Sequence, residues 1–192
     1  MGITELSAGV SSYALLRKVL EITLDDRLNY PSIKGWPFSS WMISILHDLV
    51  IIPFVSSTGD TDRIYFTACC YYLADFIWFA RAKSFQGLLY HHLSTILVIA
   101  IALIHLNKET RKRYCSNILY LTLGSGVLNI RGVTRVLFNR RIPDSLIAFL
   151  YLTSRLLVIR SLKSATRLEI AISSPLMIHN LSIVYKLLVR NR

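Results

Sequence analysis

The chain has 192 residues, 53% hydrophobic and 17% charged, with a net charge of +11 and a mean hydropathy of +0.47. Soluble domains carry roughly 25% charge; here the deficit coincides with apolar runs along nearly the whole length, which excludes a soluble domain on one anchor and leaves room for one helical bundle. The basic residues lie between those runs and do not cluster with aromatics on a polar face, so they predict helix orientation and contact with anionic headgroups, not nucleic-acid binding.

Residues 3–22 are amphipathic and weakly apolar, and they are expected to lie on the membrane interface rather than cross it. They lack the basic stretch and apolar core of a cleavable signal, and MGITEL lacks the hydroxyl residue that favours N-myristoylation. With the polar linker that follows, they form an N-terminal segment, 1–33, ahead of a membrane domain, 34–192. Lys34 and Trp36, at the edge of the first apolar run, suit a membrane–water boundary.

The expected fold class is all-α, a polytopic membrane bundle of about six transmembrane helices. The spans are expected at residues 38–56, 64–80, 88–106, 116–138, 144–162 and 168–189. Pro53 is expected to break the first near its end. The fourth is interrupted by Gly124, Gly126, Asn129, Arg131 and Arg135, and so reads as polar on one side. The fifth contains Arg155 and Arg160, and the sixth Pro175 with His179 and Asn180. An excess of Lys and Arg on the N-terminal side of an even number of spans predicts both termini in the cytosol. Cys69, Cys70 and Cys115 read as small buried hydrophobes; the adjacent pair is badly placed to bridge, and no zinc spacing occurs, so no metal is expected.

Chemistry concentrates in residues 71–104, two apolar helices with a short basic connection. Asp75 sits mid-helix in the first, and His91 with His92 opens the second. An inserted acid or cation costs about 2.5–3.5 kcal/mol at the bilayer centre, so it needs a partner, a wet cavity or a task. His91, Ser94 and Thr95 share one helical face, and antiparallel packing of spans two and three would set Asp75 opposite it. A carboxylate holding an imidazole in one tautomer is a general-base arrangement; the structural alternative is an Asp–His pair that locks two helices.

Four inserted arginines outnumber the inserted acids Asp48 and Asp75. Arg160 is expected to reach an interface. Arg131, Arg135 and Arg155 either hold helices together through carbonyls or face an anionic ligand. His47 and Asp48 either join the same polar cavity or sit near a helix end in water. His179 and Asn180 suit interhelical hydrogen bonds. Haem ligation, di-iron boxes, a Gly-rich phosphate loop, a G-x-S-x-G elbow and H-E-x-x-H are all without support.

Six landmarks, in order, resemble the TLC domain family, which includes ceramide synthases, the TRAM translocon-associated proteins and CLN-type lipid proteins. They are Ser44 with His47, Tyr72 with Asp75, His91-His92-Leu-Ser-Thr95, Leu128-Asn129-Ile-Arg131, Ser154-Arg155, and His179-Asn180 followed by Tyr185-Lys186. The resemblance covers about residues 34–190 and is nearest to the compact TLC-domain-containing proteins. It implies a six-helix bundle around a lipid-sized cavity in the endoplasmic reticulum or a related membrane. It also implies acyl transfer from acyl-CoA by His91 and His92 with Asp75. The chain departs from ceramide synthases in lacking a second acidic His-Asp motif. The short basic stretch 107–113 follows the third span, and Thr122 stands where relatives carry an acid.

Two functional readings follow. In the first, the chain is a lipid acyltransferase, with His91 or His92 as base or acyl acceptor, Asp75 orienting it, and His47, Thr95, Asn129, Arg131 and Arg155 binding substrate. Acyl-CoA is then the co-substrate, with no bound cofactor. In the second, the same bundle is a non-catalytic lipid-binding regulator of membrane composition or trafficking. Membrane lipids are the expected partners in both, and the oligomeric state is open.

Overall fold

A computed structural model of the protein describes residues 2–33, 35–81, 86–161 and 167–189. Lys34 and most of the basic connection before the histidine pair fall outside the described residues. Among the described residues the fold is all-helical, with seven helices and no β-strand.

Helix α1 is Ile3–Leu20, continued by wider π-helical turns over Glu21–Arg27. Its start is closed by Glu5, whose carboxylate accepts the Gly2 N–H at 2.9 Å. Helix α2 is Phe38–Ser57. Asp25 caps its first turn by accepting the Ser39 N–H at 3.2 Å. Contrary to expectation, Pro53 does not break α2. A proline ring clashes with the carbonyl four residues back, here Leu49, and the backbone relieves this by widening to a π turn over His47–Ile51. That turn carries His47 and Asp48, both buried.

Helix α3 is Thr61–Arg81, started by Asp60, which accepts the Arg63 N–H at 3.1 Å. Helix α4 is Gln86–His105, and α5 is Lys108–Phe138. The sequence places the start of α5 eight residues later. The charged stretch joins the helix because Asn107 caps it, accepting the Thr110 N–H at 2.8 Å. Arg111 then ties that turn back to α4 through the Leu106 carbonyl at 2.6 Å and to Asp62 at 3.0 Å. At about 1.5 Å per residue, α5 is longer than a hydrocarbon core is thick. Helix α6 is Asp144–Ser161 and α7 is Arg167–Val189.

From α2 onward, consecutive helices run antiparallel. Gly124 of α5 meets Ser154 of α6, while Arg131 meets Asp144, so the two chains run in opposite directions. Tyr151 of α6 donates to Asn180 of α7 at 2.7 Å. Gly124 and Gly126 are the close-contact points of α5: a side chain at 124 would collide with Ser154 and Arg155, and one at 126 with Leu49. The glycines that read as interruptions are where α5 touches its neighbours.

Helix α1 is no loose interfacial element. Its inward positions, Leu6, Gly9, Tyr13 and Arg17, recur at helical spacing. They meet Cys70, Tyr71, Asp75 and Trp78 in rising order, so α1 runs parallel to α3. Tyr13 against His47 and Arg17 against Ser40 make it antiparallel to α2. It therefore lies in the groove between α2 and α3. Cys69 and Cys70 are buried under it, as small apolar residues.

By length and composition, one helix among the described residues is able to cross a membrane unaided, Phe38–Ser57, with a mean hydropathy of 1.7. Leu89–His105 is a shorter apolar helix.

Candidate functional site

A polar cavity of about 160 Å³ lies at the centre of the bundle. Every helix from α2 to α7 contributes to its wall: Asp48, Asp75, His91 with His92, Asn129 and Tyr151 mark α2 to α6 in turn, and α7 adds His179 and Asn180. Asp75 is 2% and His92 4% exposed. The Oδ2 atom of Asp75 lies 3.8 Å from Nε2 of His92. That is just outside direct hydrogen-bond range.

Oδ1 of Asp75 is taken by Arg17, which donates through Nη2. Its other terminal nitrogen donates to Ser40 Oγ at 3.0 Å, and the guanidinium lies 4.6 Å from the Trp78 ring centroid. One arginine thus joins α1, α2 and α3, and supplies the positive charge that a buried carboxylate requires. His47 stands beside this group. Its Nδ1 shares a hydrogen bond of 2.9 Å with the Tyr13 hydroxyl, and its ring stacks on Tyr71 at 3.8 Å.

Aromatic rings fix the two adjacent histidines. His92 meets Tyr72 edge-on at 5.2 Å and Phe79 at 5.4 Å, whereas His91 stacks on His179 of α7 at 4.8 Å. Six buried side-chain nitrogens lack a hydrogen-bond partner among the described residues, and four of them belong to residues in or beside this cavity: Nε2 of His47, Nδ1 of His91, Nδ1 of His92 and Nδ2 of Asn180. Buried polar atoms are nearly always satisfied, so these suit a site that receives polar groups from a ligand or solvent. No group of three or more His, Cys, Asp or Glu among the described residues is arranged to hold a metal ion.

A second cavity of about 140 Å³ adjoins the first and differs in character. Ile99, Ala102, Leu106, Ile118, Leu121 and Val158 give it an almost wholly apolar wall. Tyr72 lines both cavities.

No protein-family model, curated protein or solved structure matches the chain.

The residues singled out in the sequence divide into three groups. His91, His92, Asp75 and Asn129 converge on the polar cavity, with Asp48. Asn129 donates to Asp48 at 3.4 Å. His47 and Thr95 are buried nearby but outside the cavity wall: His47 backs it, and Thr95 faces the apolar chamber, donating to the His91 carbonyl at 2.9 Å. The inward stripe of α4 is therefore His92, Thr95 and Ile99, while Ser94 turns outward and donates to the Tyr90 carbonyl.

Arg131 and Arg155 line neither cavity, and each contacts groups of the protein itself. Arg131 pairs with Asp144 at the α5–α6 end of the bundle, each about one-third exposed at 31%. Arg155 donates to the Leu121 carbonyl at 2.9 Å and lies over the Tyr151 ring at 4.1 Å, which pins α6 to α5. Arg135 and Arg160 are exposed. The residues that sequence reasoning missed are Arg17 and Tyr13. Their signal was a four-residue spacing on the same face as Leu6 and Val10, inside a stretch too weakly apolar to be read as part of the bundle.

Proposed function

We propose that this chain is a multi-pass membrane protein of lipid metabolism, related to the TLC domain family, that transfers an acyl group from acyl-CoA to a lipid acceptor. The observation that carries the reading is the pair of cavities that share Tyr72, one polar with His91, His92 and Asp75, the other apolar. An acyl chain suits the apolar chamber while its reactive carbonyl sits beside the imidazoles.

The multi-pass part rests on inside-out polarity. The outer face of α6 exposes Leu146, Phe149, Leu150, Leu156 and Ile159, while Asp48, Asp75, His92 and Arg155 are buried. Lipid accommodates that arrangement and water penalises it. The resemblance to TLC proteins further points to the endoplasmic reticulum or a related membrane.

In this mechanism, His92 presents Nε2–H to Asp75 and keeps Nδ1 as the base. Nδ1 takes the proton from the acceptor's hydroxyl or amine as that group attacks the thioester carbonyl. The C–S bond breaks, CoA leaves as thiolate, and the imidazolium returns its proton to the sulfur, giving an acyl ester or amide and free CoA.

One observation favours a second reading. Asp75 is already neutralised by Arg17, and its other oxygen stands 3.8 Å from His92, as suits a pair that locks helices in a non-catalytic lipid-binding regulator. Lipidomics of cells expressing the protein beside a His91→Ala/His92→Ala variant of equal abundance separates the two. A lipid product that rises only with the intact pair is expected for the enzyme. Identical profiles from two folded, correctly placed proteins would leave the regulator.

A further inference from the structure

The Arg17–Asp75 contact joins an element outside the cavity wall to the acid inside it. Among the described residues, Arg17 is 4% exposed and its two terminal nitrogens are both committed, one to Asp75 Oδ1 and one to Ser40 Oγ at 3.0 Å. Trp78 covers the guanidinium face at 4.6 Å, so it has little freedom to pivot. A carboxylate held at one oxygen by a fixed guanidinium loses rotational freedom, which favours one direction for its second oxygen. For Asp75 that direction is toward His92 Nε2, at 3.8 Å.

We infer that Arg17, from the N-terminal helix, is a positioning residue of the site: it fixes the rotation of Asp75, and through Asp75 the tautomer of His92. The His92 ring then carries its proton on Nε2 and leaves Nδ1, which is buried and has no protein partner among the described residues, unprotonated. A lysine in place of Arg17 keeps the charge and loses the grip, because one ammonium does not reproduce a planar fork between Ser40 and Asp75. The inference rests on the proposed site only for its purpose; the tautomer itself is independent of acyl transfer.

Nitrogen-15 NMR of the full chain, labelled at histidine imidazoles and held in lipid bicelles, tests it, with the His92 signals assigned by His92→Gln. In the unaltered protein, His92 is expected to show a protonated Nε2 and an unprotonated Nδ1. Arg17→Lys is expected to fold and to move both nitrogens toward averaged shifts, the mark of mixed tautomers; Asp75→Asn is expected to do the same. A His92 protonated at Nδ1 in the unaltered chain overturns the inference without any variant. So does a His92 spectrum unchanged in folded Arg17→Lys. Unchanged lipid profiles alongside the expected spectra would sink acyl transfer and leave the positioning role standing.

Discussion

Arg17 and Asp75 are paired across 58 positions of sequence, both buried, and the pair docks the N-terminal helix onto the bundle. Breaking a buried ion pair from one side strands the other charge and costs about 3–5 kcal/mol. Arg17→Ala is therefore expected to lower the unfolding temperature sharply in detergent, and Arg17→Ala/Asp75→Asn to recover part of the loss. Deletion of residues 1–30, harmless to an interfacial helix, is expected to destabilise the remaining bundle. A deletion variant that unfolds at the unaltered temperature would show that α1 contributes nothing to the fold.

The α5 glycines give a second expectation. At Gly126 an added side chain meets Leu49 and Asp48 of α2. Overpacking a tight contact costs about 1–3 kcal/mol, so Gly126→Val is expected to weaken the fold, whereas the same change at Gly35 meets no side chain but strains a residue at φ 79°. Comparing denaturation of the two in one detergent separates crowding between helices from turn strain.

Tyr151→Phe removes the hydroxyl that donates to Asn180 at 2.7 Å. Asn180 is 2% exposed and its amide nitrogen already lacks a partner, so its oxygen would be stranded as well. A loss of about 1–3 kcal/mol is expected. If thermal unfolding of the variant matches the unaltered protein, the α6–α7 contact does not depend on this bond.

Two arginines predicted alike should behave differently. Arg131→Gln breaks a pair that is partly in solvent, and less than about 1 kcal/mol is expected to be lost. Arg155→Gln removes the donor to the Leu121 carbonyl and the cation over the buried Tyr151 ring, and since Arg155 is itself buried it is expected to cost more. Equal losses in the two variants would contradict the packing role assigned to Arg155.

The direction of α1 bears on topology. Since α1 runs parallel to α3, Gly2 and Val189 lie at opposite ends of the bundle. In the proposed multi-pass arrangement, tags at the two termini are accordingly expected on opposite sides of the membrane, contrary to the shared cytosolic side that six spans predict. Protease protection of each tag in sealed vesicles reads this directly. Protection of both, or of neither, would mean that α1 does not cross with the rest.

The helices were legible where apolar residues repeat. All six expected spans correspond to helices, because Leu, Ile, Phe and Tyr recur there and caps such as Asp60 lie nearby. That Asp75 faces the histidine helix was legible too, since a short connection between two apolar helices allows little but antiparallel packing, but that His92 rather than the His91 face meets it was not. What lay hidden depended on partners far away in sequence. Arg17 reads as part of a polar face until Asp75 is set beside it, and Gly124 reads as a break until Ser154 fills the space. Lys108 to Cys115 looked like a polar loop because its helix is secured by Asn107 and Arg111 rather than by apolar periodicity.

The separation between Arg17 and Asp75 also orders assembly in time. Chains elongate at about 5–20 residues per second, so the arginine is made roughly 3–12 s before its carboxylate. Through that interval Arg17 lacks the carboxylate that it pairs with in the fold; in the proposed membrane setting, the headgroup layer is where such a helix rests most cheaply. Its move into the groove between α2 and α3 then waits for the hairpin that delivers Asp75. The N-terminal helix is first in synthesis yet lacks its partner until the α2–α3 hairpin is made, and a chain stalled before residue 75 is expected to leave it undocked and open to proteolysis.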